Sequence, residues 1–196
     1  MSLGSVLGAL AAFLVLLLVW AVLIYNRLVA RRQQTEEGWS GIDVQLKRRS
    51  NLVPNLVETV KAYTSHERNT LESLTEMRAQ ALAAGNAAAG ERAAAEERLS
   101  SALGRLLAVA ENYPDLKASG NYLALQEELS EIENHIQMAR RYYNGAVRLL
   151  NTLIESFPSN LVAQRFGFAK ADYYEVDRAA DRDLPKLRFG ETGRGA

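Results

Sequence analysis

Residues 3–25 read LGSVLGALAAFLVLLLVWAVLIY and carry no charged side chain. As an α-helix this stretch is about 34 Å long at about 1.5 Å per residue. That is enough to cross a hydrocarbon core of about 30 Å. A water-soluble helix keeps a polar face, and this one has none. Lipid accommodates such a segment because a helix satisfies its own backbone hydrogen bonds. Two rival readings fit less well. Runs this long rarely serve as soluble cores. A cleaved signal peptide has a basic start, an apolar core of about 7–15 residues and a small-residue cleavage site. Here no Lys or Arg precedes the run, and Tyr25-Asn26-Arg27 closes it. The sequence predicts a retained transmembrane anchor over residues 1–26, with a short outward N-terminus.

The flanks give an orientation. Arg27, Arg31 and Arg32 follow the run directly, and Lys and Arg near a span are retained on the cytoplasmic side. Residues 27–196 are therefore expected in the cytoplasm, with Trp20 and Tyr25 at the inner interface, where amphipathic rings collect. The three arginines act either as topology signals alone or also as sites for anionic lipid heads.

The charge totals exclude several classes of function. Lys and Arg number 23, as do Asp and Glu, so no bulk field favours nucleic acid or an acidic substrate. The absence of cysteine removes thiol catalysis, disulfides and iron–sulfur ligation. Few prolines and abundant Ala, Leu, Glu and Arg point to helices. The remainder after the anchor is the size of one domain.

Beyond the anchor, Ile42, Leu46, Val53, Leu56, Val57, Val60, Leu71 and Leu74 fit one helical stripe. With no strong stop before Trp39, the anchor is expected to continue into this helix, although Gly38 and Gly41 weaken that. Pro54 lies mid-pattern and predicts a kink, with Asn51 and Asn55 beside it to satisfy freed backbone groups. Gly85, Asn86 and Gly90 predict a loop at 85–90, and the next helix runs over about 91–112 until Pro114 ends it. The clearest helix spans about 121–157. Tyr122, Leu125, Leu129, Ile132, Ile136, Ala139, Tyr143, Ala146, Leu150 and Leu153 form a heptad-like seam on it. Asn121 reads as its N-cap and Pro158 as its stop. Ser159 then caps a short helix, NLVAQRF, closed by Gly167. Residues 169–196 predict another short helix, an extended LPKLRF and a disordered end. The fold class is all-α: an N-terminal transmembrane helix, then an antiparallel bundle of three long helices and a shorter fourth over residues 27–168.

No constellation for catalysis emerges. His66-Glu67-Arg68-Asn69-Thr70 begins like H-E-x-x-H but ends in Thr70, so a zinc ion lacks its second histidine. Neither His66 nor His135 follows a glutamate at the spacing of carboxylate-bridged di-iron bundles. Both histidines read as surface or interhelical hydrogen-bonding residues. Glu127, Glu128, Glu131 and Glu133 read as a solvated helical face. No phosphate loop or nucleophile elbow is present. No cofactor and no metal are expected. The basic group Lys47, Arg48 and Arg49 stands far from the membrane on an upright helix, and is expected to meet acidic groups of a partner or the glutamates of the long helix.

Several motifs together resemble one family. EEGWSGIDVQLKRRSNLVPNLVETVKAY (36–63), NYPDLKAS (112–119), LQEELSEIENHIQMARRYYNGAVRLLN (125–151) and FPSNLVAQRFGF (157–168) resemble the LemA family, in order, from about residue 20 to 189. The resemblance implies a bacterial inner-membrane protein with a cytoplasmic helical bundle and no established enzymatic activity. Some members are associated with magnetosome membranes, which implies a part in membrane organisation. Arg48, Arg49, Asn51, Pro54, Asn55, Glu58, Arg140, Arg141, Tyr142, Asn144 and Asn151 match its motifs. They read either as a polar network that fixes helix register or as a docking surface for a partner or a neighbouring copy.

The expectation is therefore a non-catalytic scaffold that self-associates and organises the inner membrane, with the lipid bilayer and copies of itself as partners and no nucleic acid. The alternative is an adaptor that presents substrates or effectors to another membrane protein, such as a membrane protease.

Overall fold

The computed structural model describes residues 3–64 and 66–175. Every regular element among them is helical: α1 (Leu3–Lys61), α2 (Arg68–Ala83), a 3-10 turn (Ala84–Asn86), α3 (Ala89–Ala110), α4 (Pro114–Lys117), α5 (Gly120–Glu155) and α6 (Ser159–Arg165).

The anchor and the first bundle helix are one continuous element. α1 spans 59 residues, about 89 Å at about 1.5 Å per residue. Its apolar stretch packs against nothing as far as Val19, and burial begins at Trp20. From Ile42 to Val60 its buried positions include Ile42, Leu46, Arg49, Val53, Leu56 and Val60, steps of four and three that keep one seam facing a partner helix, with Ser50 buried beside them. α5 answers with Tyr122, Leu129, Ile132, Ile136, Tyr143, Ala146 and Leu150, the seam read from the sequence. The two helices run antiparallel. Gly38 is what lets them close: a Cβ there would stand 3.0 Å from the Tyr143 Cα and 3.1 Å from the Tyr142 ring. α2 and α3 form a hairpin over the distal half.

The core has three stacked parts along this pair. The distal part joins Val53, Leu56 and Val60 to Leu74, Leu99, Leu106 and Leu116. The middle joins Ile42 and Leu46 to Ile132, Ile136, Val147 and Tyr174. The part nearest the span joins Leu28 to Val162 and Ala163, with Trp20, Ala21, Ile24, Leu153 and Ile154 packed around them.

Several local expectations are corrected. The stripe that includes Leu71 and Leu74 is not one helix with α1, because the chain turns between Lys61 and Arg68. Tyr63, Thr64 and His66 are weak helix formers, and the Thr64 hydroxyl donates back to Val60 O at 3.1 Å. α1 passes through Pro54 as helix. Proline cannot donate to the carbonyl four residues earlier, and that carbonyl, Ser50 O, accepts instead from Arg78 Nε of α2 at 2.8 Å. Asn51 and Asn55 are exposed and do not supply the bond. α5 begins at Gly120 with Ser119 in the cap position, not Asn121, and no side chain caps it. Pro158, not Ser159, holds the cap position of α6. The Ser159 hydroxyl lies 2.7 Å from Leu153 O and 2.9 Å from Ser156 O, tying the corner to α5. Gly167, at φ +70°, closes α6, and Phe168 N donates to Ala163 O at 2.9 Å, the bond such a left-handed cap provides. Residues 169–175 are not helical. The rest of the stretch expected to hold a short helix, the LPKLRF stretch and the chain end lie outside the described residues.

Candidate functional site

Charge is buried where α1, α3 and α5 meet. Arg49 is 2% exposed yet occupies a seam position. Its guanidinium donates to Glu96 Oε2 at 2.6 Å, Glu96 O at 3.2 Å, Ser100 Oγ at 2.6 Å and Glu133 Oε2 at 2.9 Å. One turn before Glu96, Arg92 is also buried. It pairs with Asp43 of α1, donates to Gly85 O at 3.1 Å and lies 5.2 Å over the Trp39 ring. Lys47 reaches the other Asp43 oxygen at 2.7 Å. Burial pushes the Asp43 carboxyl up, but the hydrogen bonds from Lys47 and Arg92 outweigh it and hold the group below its ordinary value. A cavity of about 330 Å³ opens beside these groups, lined by Trp39, Asp43, Ser50, Gly85, Arg92 and Glu96. Of its lining, Ser50 Oγ and Arg92 Nε are buried without a hydrogen-bond partner, as is Arg49 Nε nearby. Such pairs are costly to desolvate, so their burial adds little net stability, whereas removing one partner is strongly destabilising.

A second polar device holds the tail. Asn151 Nδ2 donates to Ala171 O and its Oδ1 accepts from Ala171 N, both at 2.9 Å. Asn144 does the same with Tyr174, at 3.3 and 2.9 Å. The spacings match. Seven helical residues rise about 10.5 Å, and three extended residues span about 10 Å. The Tyr143 hydroxyl donates to Asp172 O between them at 2.8 Å. Tyr174 is thereby seated in the middle core, 6.0 Å from the Trp39 ring and 5.2 Å from the Arg140 guanidinium. Burial, reinforced by the charge of Glu96 and opposed by Arg140, Arg49 and Arg92, pushes its hydroxyl up to about 12.

The residues nominated from sequence do not form one site. Arg49 is in the buried seam, while Arg48 lies at the surface and bonds Glu128 at 3.1 Å. Lys47 meets Asp43 and the other two meet α5 glutamates, so of the two alternatives for this basic group it is the glutamates of the long helix, with Asp43, that receive it. Asn51, Pro54, Asn55 and Glu58 are exposed on the outer side of α1. Arg140, Arg141 and Asn144 line a shallow groove of about 430 Å³ with Arg148 and Tyr173. Exposed Tyr142 covers Gly38 and reaches Glu37 at 3.3 Å. Near the span, Tyr25 meets Phe166 and Phe168 edge to face, with centroids at 4.9 and 5.7 Å. Arg32 lies over Phe168, Arg31 bonds Gln34, and Arg27 is exposed. Trp20 packs beneath α6. His66 is exposed, and His135 is half-buried with Nδ1 unpartnered. Among the described residues no group of three His, Cys, Asp or Glu could hold a metal ion.

Sequence reading missed Asp43, Arg92, Glu96 and Tyr174. A signal existed for two of them. Arg92 and Glu96 are four apart and flanked by Ala89, Ala93 and Ala95, so their helix face is otherwise small and apolar.

Comparison with known proteins gives a family model, described as LemA family, that matches residues 38–189. Magnetosome protein MamQ 2 of Paramagnetospirillum magneticum is 28% identical over 186 residues, covering 82% of this chain and 68% of the relative. Magnetosome protein MamQ of Magnetospirillum gryphiswaldense is 24% identical over the same lengths. Protein LemA of Metamycoplasma hominis is 29% identical over 168 residues, 83% of this chain and 75% of the relative.

Proposed function

The chain belongs to the LemA family, and on that footing we propose that it is a non-catalytic scaffold, held in the membrane by α1, that self-associates through its bundle. α1 is long and apolar enough to cross a bilayer, and its most apolar window is unburied by the rest of the fold. The arginines after the span favour a cytoplasmic bundle, and membership of the LemA family favours a bacterial inner-membrane location. Relatives named as magnetosome proteins are in keeping with organising a cellular compartment. The buried charges of Arg49, Arg92 and Glu96 are spent on one another and on half-buried Asp43 across helices, which favours a structural over a catalytic role.

One observation carries self-association. α5 has a second apolar stripe, Met138, Tyr142 and Leu149, about half exposed among the described residues, and Val44 of α1 is 59% exposed on the same side of the register. Steps of four and seven keep these three residues on one face. The native chain has no cysteine, so Leu149→Cys in the intact, membrane-embedded protein gives a clean cross-linking site. A ladder of linked copies, lost on adding Tyr142→Asp, is the expected result. A strictly monomeric protein in membranes refutes the scaffold.

A second reading, an adaptor for another membrane protein, is favoured by the groove that carries Arg140, Arg141 and Arg148. It would show as cross-links to one different protein, abolished by Arg141→Glu with Arg148→Glu.

A further inference from the structure

The corner between α5 and α6 presents large apolar side chains to the outside. Phe157 is 81% exposed, Leu161 56% and Phe166 58%. Such a cluster is costly in water, and its height along α1 says what covers it. Tyr143 stands beside Gly38, and Leu153 packs with Leu28. Ten residues down α1 therefore match ten residues up α5, as two antiparallel helices of equal rise require. The same register puts the end of α5, Glu155, level with about residue 26, at the edge of the uncharged run, and Phe157 follows it at the corner. The packing agrees. The inner face of α6, Ser159, Val162 and Ala163, is buried, and its apolar members share a cluster with Leu28, Trp20, Ala21 and Ile24. A bilayer core of about 30 Å laid on the run from Leu3 reaches about residue 22. α6 thus touches α1 at the level where hydrocarbon gives way to headgroups.

We propose that α6 and its flanks form a second membrane contact, an interfacial foot that inserts Phe157, Leu161 and Phe166 into the lipid beside the span. The charges around it suit that place. Arg165 is exposed at the end of α6. Glu155, which would be repelled by anionic headgroups, is paired with Lys170 at 2.6 Å. Aromatic rings and long cations are the side chains that settle at this depth. The foot fixes the bundle against the membrane at two points rather than one, so the domain cannot swivel about the end of the span.

This rests on the reading that α1 spans a bilayer, and the test separates the two. The full chain, reconstituted in vesicles of phosphatidylethanolamine and phosphatidylglycerol, carries one spin label at a time: Phe157→Cys, Leu161→Cys, Leu14→Cys in the span, or Leu123→Cys at the distal end. All four positions are exposed, so each label is tolerated. Collision with apolar oxygen against a water-soluble nickel complex reads the depth of each. The proposal expects the labels at 157 and 161 about 5–10 Å below the headgroup boundary, with Leu14→Cys deep and Leu123→Cys in water. A deep label at 14 with aqueous labels at 157 and 161 overturns the foot and leaves the span. An aqueous label at 14 overturns both. Labels at 157 and 161 shielded from oxygen and nickel alike mean that protein, not lipid, covers the corner, and also overturn the proposal.

Discussion

Replacing Arg49 with methionine should be among the most damaging single changes to the bundle, and for a reason that a second mutation can isolate. Arg49→Met keeps much of the side-chain volume but removes the partner of Glu96, whose side chain is 8% exposed. Glu133, at 40% exposure, can rehydrate, so its loss counts little. The cost is that of a stranded buried charge, about 3–5 kcal/mol. For a domain of this size each kcal/mol moves the melting temperature by about 2–4 °C, so a fall on the order of 10 °C is expected. Glu96→Gln should cost less, about 1–3 kcal/mol, because Arg49 retains Glu133 and Ser100. The double variant Arg49→Met with Glu96→Leu removes both charges and should recover most of the loss, since a buried pair exchanged for apolar groups is often neutral. Thermal unfolding of the full chain in micelles, followed by helical circular dichroism, measures all three. If the double variant is as unstable as Arg49→Met alone, the stranded-charge explanation is wrong and the damage lies in packing.

Two glycines on adjacent turns should respond in opposite directions. Gly41 has nothing within 4 Å of a built Cβ, so Gly41→Ala should stabilise by about 0.5–1 kcal/mol through helix propensity. Gly38→Ala must push against Tyr143 backbone at 3.0 Å, and overpacking costs of about 1–3 kcal/mol should outweigh that gain in the same melting assay. Alkaline pH should release the tail. With the Tyr174 hydroxyl at about 12 in the fold against 10.0 ordinarily, the unfolded state ionises first. Stability present below pH 10 is therefore lost as pH climbs to about 12, on the order of 3 kcal/mol in all, and Tyr174→Phe should flatten that part of the stability–pH curve.

What could be read in advance followed periodicity. The uncharged run and the α5 seam are patterns of many residues repeating one rule, and both stand as helices in the structure. The break between α1 and α2 was hidden because residues 62–67 contain neither Gly nor Pro, and the apolar spacing happens to continue across them. Arg49 was hidden by its charge. The stripe was read by skipping from Leu46 to Val53, although Arg49 fills the heptad position between them. The tail was least legible of all. Its path is set by side chains of Asn144, Asn151 and Tyr143 bonding its backbone, and a sequence carries no period for such a bond.

These pieces converge on one side chain. Trp39 receives Arg92 from α3 on its ring, Tyr143 of α5 at 5.3 Å and Tyr174 of the tail at 6.0 Å. Three other parts of the chain therefore meet on α1, at a point about 21 Å beyond Tyr25 along the axis. Because α1 is one helix from the apolar run to that point, a rotation of the span about its axis would turn Trp39 with it. Tyr143 cannot follow freely, since Gly38 and the Tyr143 backbone are already in contact. The strain would fall on the groups that can part: the Arg92–Asp43 pair and the two asparagine clamps, which are hydrogen bonds rather than interdigitated core.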